Sequence, residues 1–109
     1  MANVFKNFAT AAVGTTAIDV YVAGAGVQAT IIGMTVANVT NSNINVSVIA
    51  TVNAQAVFLV KGALVPPGGA LVPVGGDQKV VLEAADKLSV QSDTAASADV
   101  LLSVLEITA

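Results

Sequence analysis

The 109-residue chain is hydrophobic at 55% of its positions but charged at only 10%, with four lysines, no arginine, no histidine, no cysteine and a net charge of −3. This excludes disulfides, thiolate metal sites and the usual general base, and scattered Lys6, Lys61, Lys79 and Lys87 form no cationic patch for nucleic acid. The longest unbroken aliphatic or aromatic run is residues 56–60, far short of the roughly 20 residues that cross a membrane as a helix.

The opening MANVFKNFAT lacks the basic start and apolar stretch of a secretory signal, and residues 4–10 read as a first strand. In TAIDVYVA (16–23), Ile18, Val20 and Val22 oppose Asp19 and Tyr21, the period of a half-buried strand within residues 15–23. After AGAGV (23–27) comes QATIIGMTVANV (28–39), apolar on both faces for much of its length. Such a run suits a central strand covered on both sides, and Gly33 inside it predicts a bulge or a close packing contact. Beyond TNSN (40–43), INVSVIATV (44–52) sets Ile44, Val46, Val48, Ala50 and Val52 against Asn45, Ser47 and Thr51. A tight reversal near Asn53-Ala54 leads to a strand over 55–61.

Residues 62–73 read GALVPPGGALVP, a pentapeptide repeated across Pro67-Gly68, and no charge occurs from residue 62 to residue 76. Proline donates no hydrogen bond, so Pro66-Pro67 is barred from the middle of a sheet, and each residue before a proline is driven extended. Extended arms over 63–65 and 70–72 therefore flank a PPGG reversal. Strands follow over 70–74, 79–83, 87–92 and 98–107, separated by GGDQ (75–78), Ala84–Asp86 and DTAAS (93–97). In KLSVQS (87–92), Leu88 and Val90 oppose Ser89 and Gln91, while ADVLLSVLEI (98–107) is apolar on both faces. LEAADK (82–87) has helical character but is too short for more than one turn.

Turn signals about every 8–12 residues between some eight short strands mark an all-β fold. The expectation is one antiparallel β-sandwich domain over residues 1–109, with jelly-roll connectivity as one arrangement.

Chemistry is scarce. Lys87 and Ser89 share a strand face, an arrangement far commoner on a solvated surface than in catalysis. Asp77, Glu83, Asp86, Asp93 and Asp99 fall mostly at turns and strand ends, without the alternate spacing of a calcium loop. Neither Gly24 and Gly26 nor GGDQK opens a phosphate-binding helix. Asn38-Val39-Thr40 and Asn45-Val46-Ser47 are chance matches to glycosylation acceptors. Phe5, Phe8, Tyr21 and Phe58 are too dispersed to stack bases. No catalytic residue, cofactor or metal is expected, and no enzymatic activity.

A chain this poor in charge leaves apolar surface that partners cover, since large exposed apolar patches mark interaction sites. The segment 62–76 either caps its own core through Leu64 and Leu71 or lies on a neighbouring subunit, and the low charge tilts the reading to the neighbour. The residues expected at that contact are Leu64, Val65, Pro66, Pro67, Leu71 and Val72.

The stretch PPGGALVPVGGDQKVVLEAADKLSVQSDTAASADVLLSVLEI (66–107) resembles the C-terminal half of small virion proteins of tailed bacteriophages. Those chains similarly place a Pro-Gly-Gly turn before an apolar strand, then a Gly–Lys-Val-Val-Leu-Glu segment, an Asp-x-Leu-x-Val-x-Ser strand and a terminal Asp-Val…Ser-x-Leu-Glu-Ile strand. Upstream, IIGMTVANVTNSNINVSVIA (31–50) is similar to their strand–turn–strand opening, so the likeness covers about two-thirds of the chain. It departs at Ala85, where glycine is expected before Asp86. The resemblance implies a β-sandwich displayed in many copies on a phage particle and made in the host cytoplasm. It implies a capsid decoration (cement) protein, trimeric and bound to the major capsid protein; a collar, tail or fibre accessory is the alternative. A carbohydrate-binding module for the host surface is a further alternative that the shortage of aromatics disfavours.

Overall fold

Nine antiparallel strands, built from the alternating and doubly apolar stretches above, make up a computed structural model that describes residues 2–74 and 79–108. In chain order they are β1 (Ala2–Val13), β2 (Ile18–Val22), β3 (Val27–Asn38), β4 (Ile44–Val52), β5 (Gln55–Val65), β6 (Ala70–Val74), β7 (Val80–Leu82), β8 (Lys87–Ser92) and β9 (Ala98–Thr108). No helix occurs among the described residues, and LEAADK is a turn between β7 and β8. The expected turn over 75–78, with Asp77, lies outside the described residues.

One sheet runs β1-β9-β3-β6, with β7 also on β3; the other runs β2-β8-β4-β5. Only β4 to β5 and β6 to β7 connect within a sheet. Every other connection crosses between the two, the winding of a jelly roll. Every strand places at least one side chain in a single apolar core, with Ile31, Leu82, Leu88 and Leu102 among the largest fully buried. The sandwich is elongated, 45 × 24 × 23 Å, because its longest strands run twelve residues.

Three boundaries differ from the sequence expectation by three residues or more: β2 begins at Ile18 and not at 15, and β1 and β5 end later than expected. β1 reaches Val13, as pairing with β9 continues past Thr10 through a bulge to Val13 opposite Ala98. β5 continues to Val65 because two register slips against β4, with Gly62 at φ 63°, let the strand bend and keep pairing. Gly33 does sit at a bulge, between Ile31 and Gly33 on the ladder to β9.

The turns obey backbone chemistry. At the PPGG corner Gly69 N–H donates to Pro66 C=O at 2.9 Å, with Gly68 at φ 71°. Proline at the second position and a left-handed glycine at the third define a type II turn, which here carries the chain from one sheet to the other. Asp86 N–H donates to Glu83 C=O at 2.9 Å around Ala85 at φ 72°. Alanine therefore occupies the left-handed position for which glycine is the natural choice.

The β4–β5 hairpin has the same mismatch. Val52 pairs with Gln55 across Asn53 and Ala54, whose φ values of 52° and 64° are those of a type I′ turn. Asparagine tolerates that region; alanine is strained there. Ala54→Gly is expected to stabilise the fold by about 0.5–1 kcal/mol and raise the melting temperature by roughly 3–6 °C, measured by circular dichroism.

Candidate interaction face

The two outer faces of the sandwich differ in kind. On the β2-β8-β4-β5 sheet the charged side chains Asp19, Lys61 and Lys87 stand among exposed Val22, Val57, Phe58 and Leu64. Asp19 accepts a hydrogen bond from the Ser89 hydroxyl at 2.7 Å and pairs with Lys87 at 3.6 Å. Lys61 lies 5.3 Å from the centre of the Phe58 ring. Lys87 and Ser89 are thus brought together on the Asp19 carboxylate, with Ser89 buried and Lys87 half-exposed.

On the other sheet, register alone decides what faces out. Phe5 stands opposite Leu105, Asn7 opposite Ser103 and Ala9 opposite Leu101, and β3 continues these rows with Thr30, Gly33 and Thr35. Phe5 is 75% exposed and Leu101 54% exposed. Around Leu101 the small side chains of Ala9, Ala11, Thr35 and Ala37 leave a shallow trough of about 440 Å³. Asp99 is the one charged residue at the trough, and its carboxylate already accepts a hydrogen bond from Ala12 N–H at 2.9 Å.

This corrects one sequence expectation. β3 and β9 are central strands, but among the described residues no element lies over their outer side. A strand apolar on both faces therefore does not by itself report that both faces are covered.

The PPGG corner is only partly a contact surface. Leu64 is 63% exposed, opposite Asn45 on the β2-β8-β4-β5 sheet, and Pro66 and Pro67 are exposed beside it. Val72 is exposed on the far side of the turn, on β6. Val65 and Leu71 are corrections. Val65 pairs with Ile44 and is 1% exposed, so its side chain belongs to the core. Leu71 pairs with fully buried Val36 and packs on the core, because β6 slips register between Met34 and Val36 and breaks the alternation. The remaining exposed residues flank a corner between two sheets and do not form one flap.

Asn38 fixes that corner. Its side-chain amide donates to Val65 C=O at 3.0 Å and Ser42 C=O at 2.7 Å, and its Oδ1 accepts from Thr40 N–H and the Thr40 hydroxyl. Buried and fully engaged, it cannot carry a glycan.

A cluster that sequence reasoning missed sits where the edges β1 and β2 approach. The Tyr21 hydroxyl donates to Glu106 Oε2 at 2.6 Å, and Lys6 Nζ pairs with Oε1 at 2.9 Å. Phe8 meets the Tyr21 ring edge-on at 5.0 Å, beside an open cleft of about 490 Å³. The available signal was a charged residue on the inward phase of an alternating strand, between Val4 and Phe8.

Burial, then the bond to Glu106, raises the Tyr21 pKa, and the bonds from Tyr21 and Lys6 lower that of Glu106. A raised pKa contributes stability that is full below the usual value of 10.0 and lost as pH climbs above it. A lowered one contributes above the usual 4.5 and is lost as pH falls below it. Urea midpoints measured against pH are expected to fall at both ends. Tyr21→Phe should blunt the alkaline loss and Glu106→Gln the acid loss; unchanged limbs in both variants would contradict the cluster.

The remaining carboxylates serve turns. Asp86 accepts from Asn53 N–H and Glu83 N–H, and Asp93 from Asn45 N–H, the bond that chiefly lowers the Asp93 pKa. Among the described residues no group of three His, Cys, Asp or Glu converges on a possible metal position.

No protein-family model and no curated protein sequence matches the chain. Among solved structures it is similar to one described as "Bacillus endospore appendages form a novel family of disulfide-linked pili". The TM-score is 0.59 at 13% identity, over 97% of this chain and 88% of that one, a likeness of fold alone.

Proposed function

We infer that this protein is a non-enzymatic structural subunit of a particle built in many copies, specifically a capsid decoration protein of a tailed bacteriophage. The single observation that carries the reading is a difference in charge between the two faces: Asp19, Lys61 and Lys87 stand on one sheet, whereas Asp99 is the one charged residue at the trough around Leu101 on the other. Burying that face against a shell, at roughly 25 cal/mol per Å² of apolar surface, gives modest stabilisation per copy and a large sum over many copies. The phage assignment is what the sequence resemblance implies, and on it the protein works with the major capsid protein and with copies of itself, as a trimer where it occupies threefold positions.

A second reading, a fibre or filament subunit, is favoured by the fold likeness to the endospore pilus structure. The disulfide linkage named for that protein has no cysteine to use in this sequence. A sugar-binding module is poorly supported, since the single tyrosine is buried at 4% exposure and there is no tryptophan.

Cryo-electron microscopy of the particle that carries the protein is the test, with Leu101→Lys as the paired variant. Density on the head shell and loss of binding by the folded Leu101→Lys chain are expected. Density along a tail or fibre selects the second reading, and a protein absent from every particle overturns both.

A further inference from the structure

Each edge of a sheet offers unpaired N–H and C=O groups to any extended chain, and folded proteins guard such edges with short strands, prolines or bulges. Three of the edges here are guarded. β2 is five residues long and slips register between Asp19 and Tyr21. β5 slips twice against β4. On the third edge β6 carries Pro73 and β7 is three residues long.

β1 has one such device, a bulge between Thr10 and Val13 with Ala12 at φ 59°, and it leaves the strand up to Thr10 unguarded. It runs twelve residues without glycine or proline, pairs with β9 on one side only, and keeps unbroken register from Ala2 to Thr10. Its one charge, Lys6, is neutralised by Glu106 at 2.9 Å. Phe5, the exposed ring of the apolar face, stands on this strand.

We propose that β1 pairs antiparallel with β1 of a second copy of this chain across a two-fold axis, joining two β1-β9-β3 sheets into one. The occupant is a second copy because an uninterrupted ladder needs a partner of comparable length, and among the described edges β1 itself supplies it. The isologous pair also closes both edges at once.

Opposed side chains in an antiparallel pair share a face, so odd-numbered residues of β1 meet odd-numbered ones. An axis at Lys6 would set two ammonium groups opposite each other, which is unfavourable. The two remaining registers that use most of the unbroken ladder place the axis at Phe5, or at Asn7 with Phe5 facing Ala9. The contact is independent of whether the particle is a capsid or a fibre.

The cysteine-free sequence makes the test clean. Directly opposed residues of an antiparallel pair lie about 4.5–5.5 Å apart at Cα, within reach of a disulfide. Phe5→Cys or Asn7→Cys, whichever marks the axis, is expected to oxidise to a dimer of about 22 kDa, twice the 10.8 kDa chain, while Leu64→Cys on β5 stays unlinked. Phe5→Lys should weaken self-association by about tenfold or more in sedimentation, with an unchanged circular dichroism spectrum. A wild-type chain that remains monomeric at the highest concentration reached overturns the proposal. So does failure of both β1 cysteines to link, or linking through Leu64→Cys instead.

Discussion

Asn38→Ala is expected to lower stability by about 3 kcal/mol, a fall in melting temperature of roughly 12–20 °C. The side chain is nearly enclosed, and its amide is the donor to Val65 C=O, whose residue is itself core. Alanine would leave that carbonyl, and the Thr40 N–H and hydroxyl that bind Oδ1 at 2.8 and 2.7 Å, without their partner. An orphaned buried polar group costs its full desolvation, which exceeds the net worth of the bond lost. Asn38→Asp separates the two halves of the effect, since it keeps the acceptor and loses both donors. Thermal melts of the three proteins should rank wild type, then Asp, then Ala. A melt of Asn38→Ala within a few degrees of wild type would show that the corner is held by the Asn38 N–H to Gly69 C=O bond instead.

Much of the fold is legible in short-range chemistry. The alternation of INVSVIATV puts Val46 and Val48 in the core as it predicts. Asn53-Ala54 reverses a hairpin, and Pro-Pro-Gly-Gly turns a corner where the prolines forbid pairing. What the chain conceals is long-range. The order β1-β9-β3-β6 over β2-β8-β4-β5 depends on which strands cross between sheets, and no local pattern encodes that. Bulges defeat parity counting: Leu71 lies two residues beyond Gly69, yet the slip on β6 turns it inward. The Lys6–Glu106–Tyr21 cluster joins residues from both ends of the chain and becomes visible only once β1 is set in register on β9. The hydrophobicity of both faces of β9 was legible, but not that its outer side lies open, with Leu101 exposed on it.

The segment around the double proline offers the sharpest graded test, because three of its apolar residues occupy three environments. Val65→Lys forces an ammonium into the core and is expected to cost about 4 kcal/mol or more, leaving little folded protein at 37 °C. Leu71→Lys is milder, about 2 kcal/mol, because a half-buried lysine can extend its stem along the core and return its charge to water. Leu64→Lys, at an exposed position opposite Asn45, should stay within about 0.5 kcal/mol of wild type. Chemical denaturation of the isolated chains gives the ranking, and sedimentation or particle binding of the folded ones gives the functional result. If Leu64→Lys folds normally and still assembles, the contact lies elsewhere, on the face around Leu101 and along β1. If it folds normally and fails to assemble, the exposed half of the corner, Leu64 with Pro66 and Pro67, belongs to the interface. An unfolded Leu64→Lys chain would contradict the outward placement of that side chain, and with it the division of this segment into a core half and a surface half.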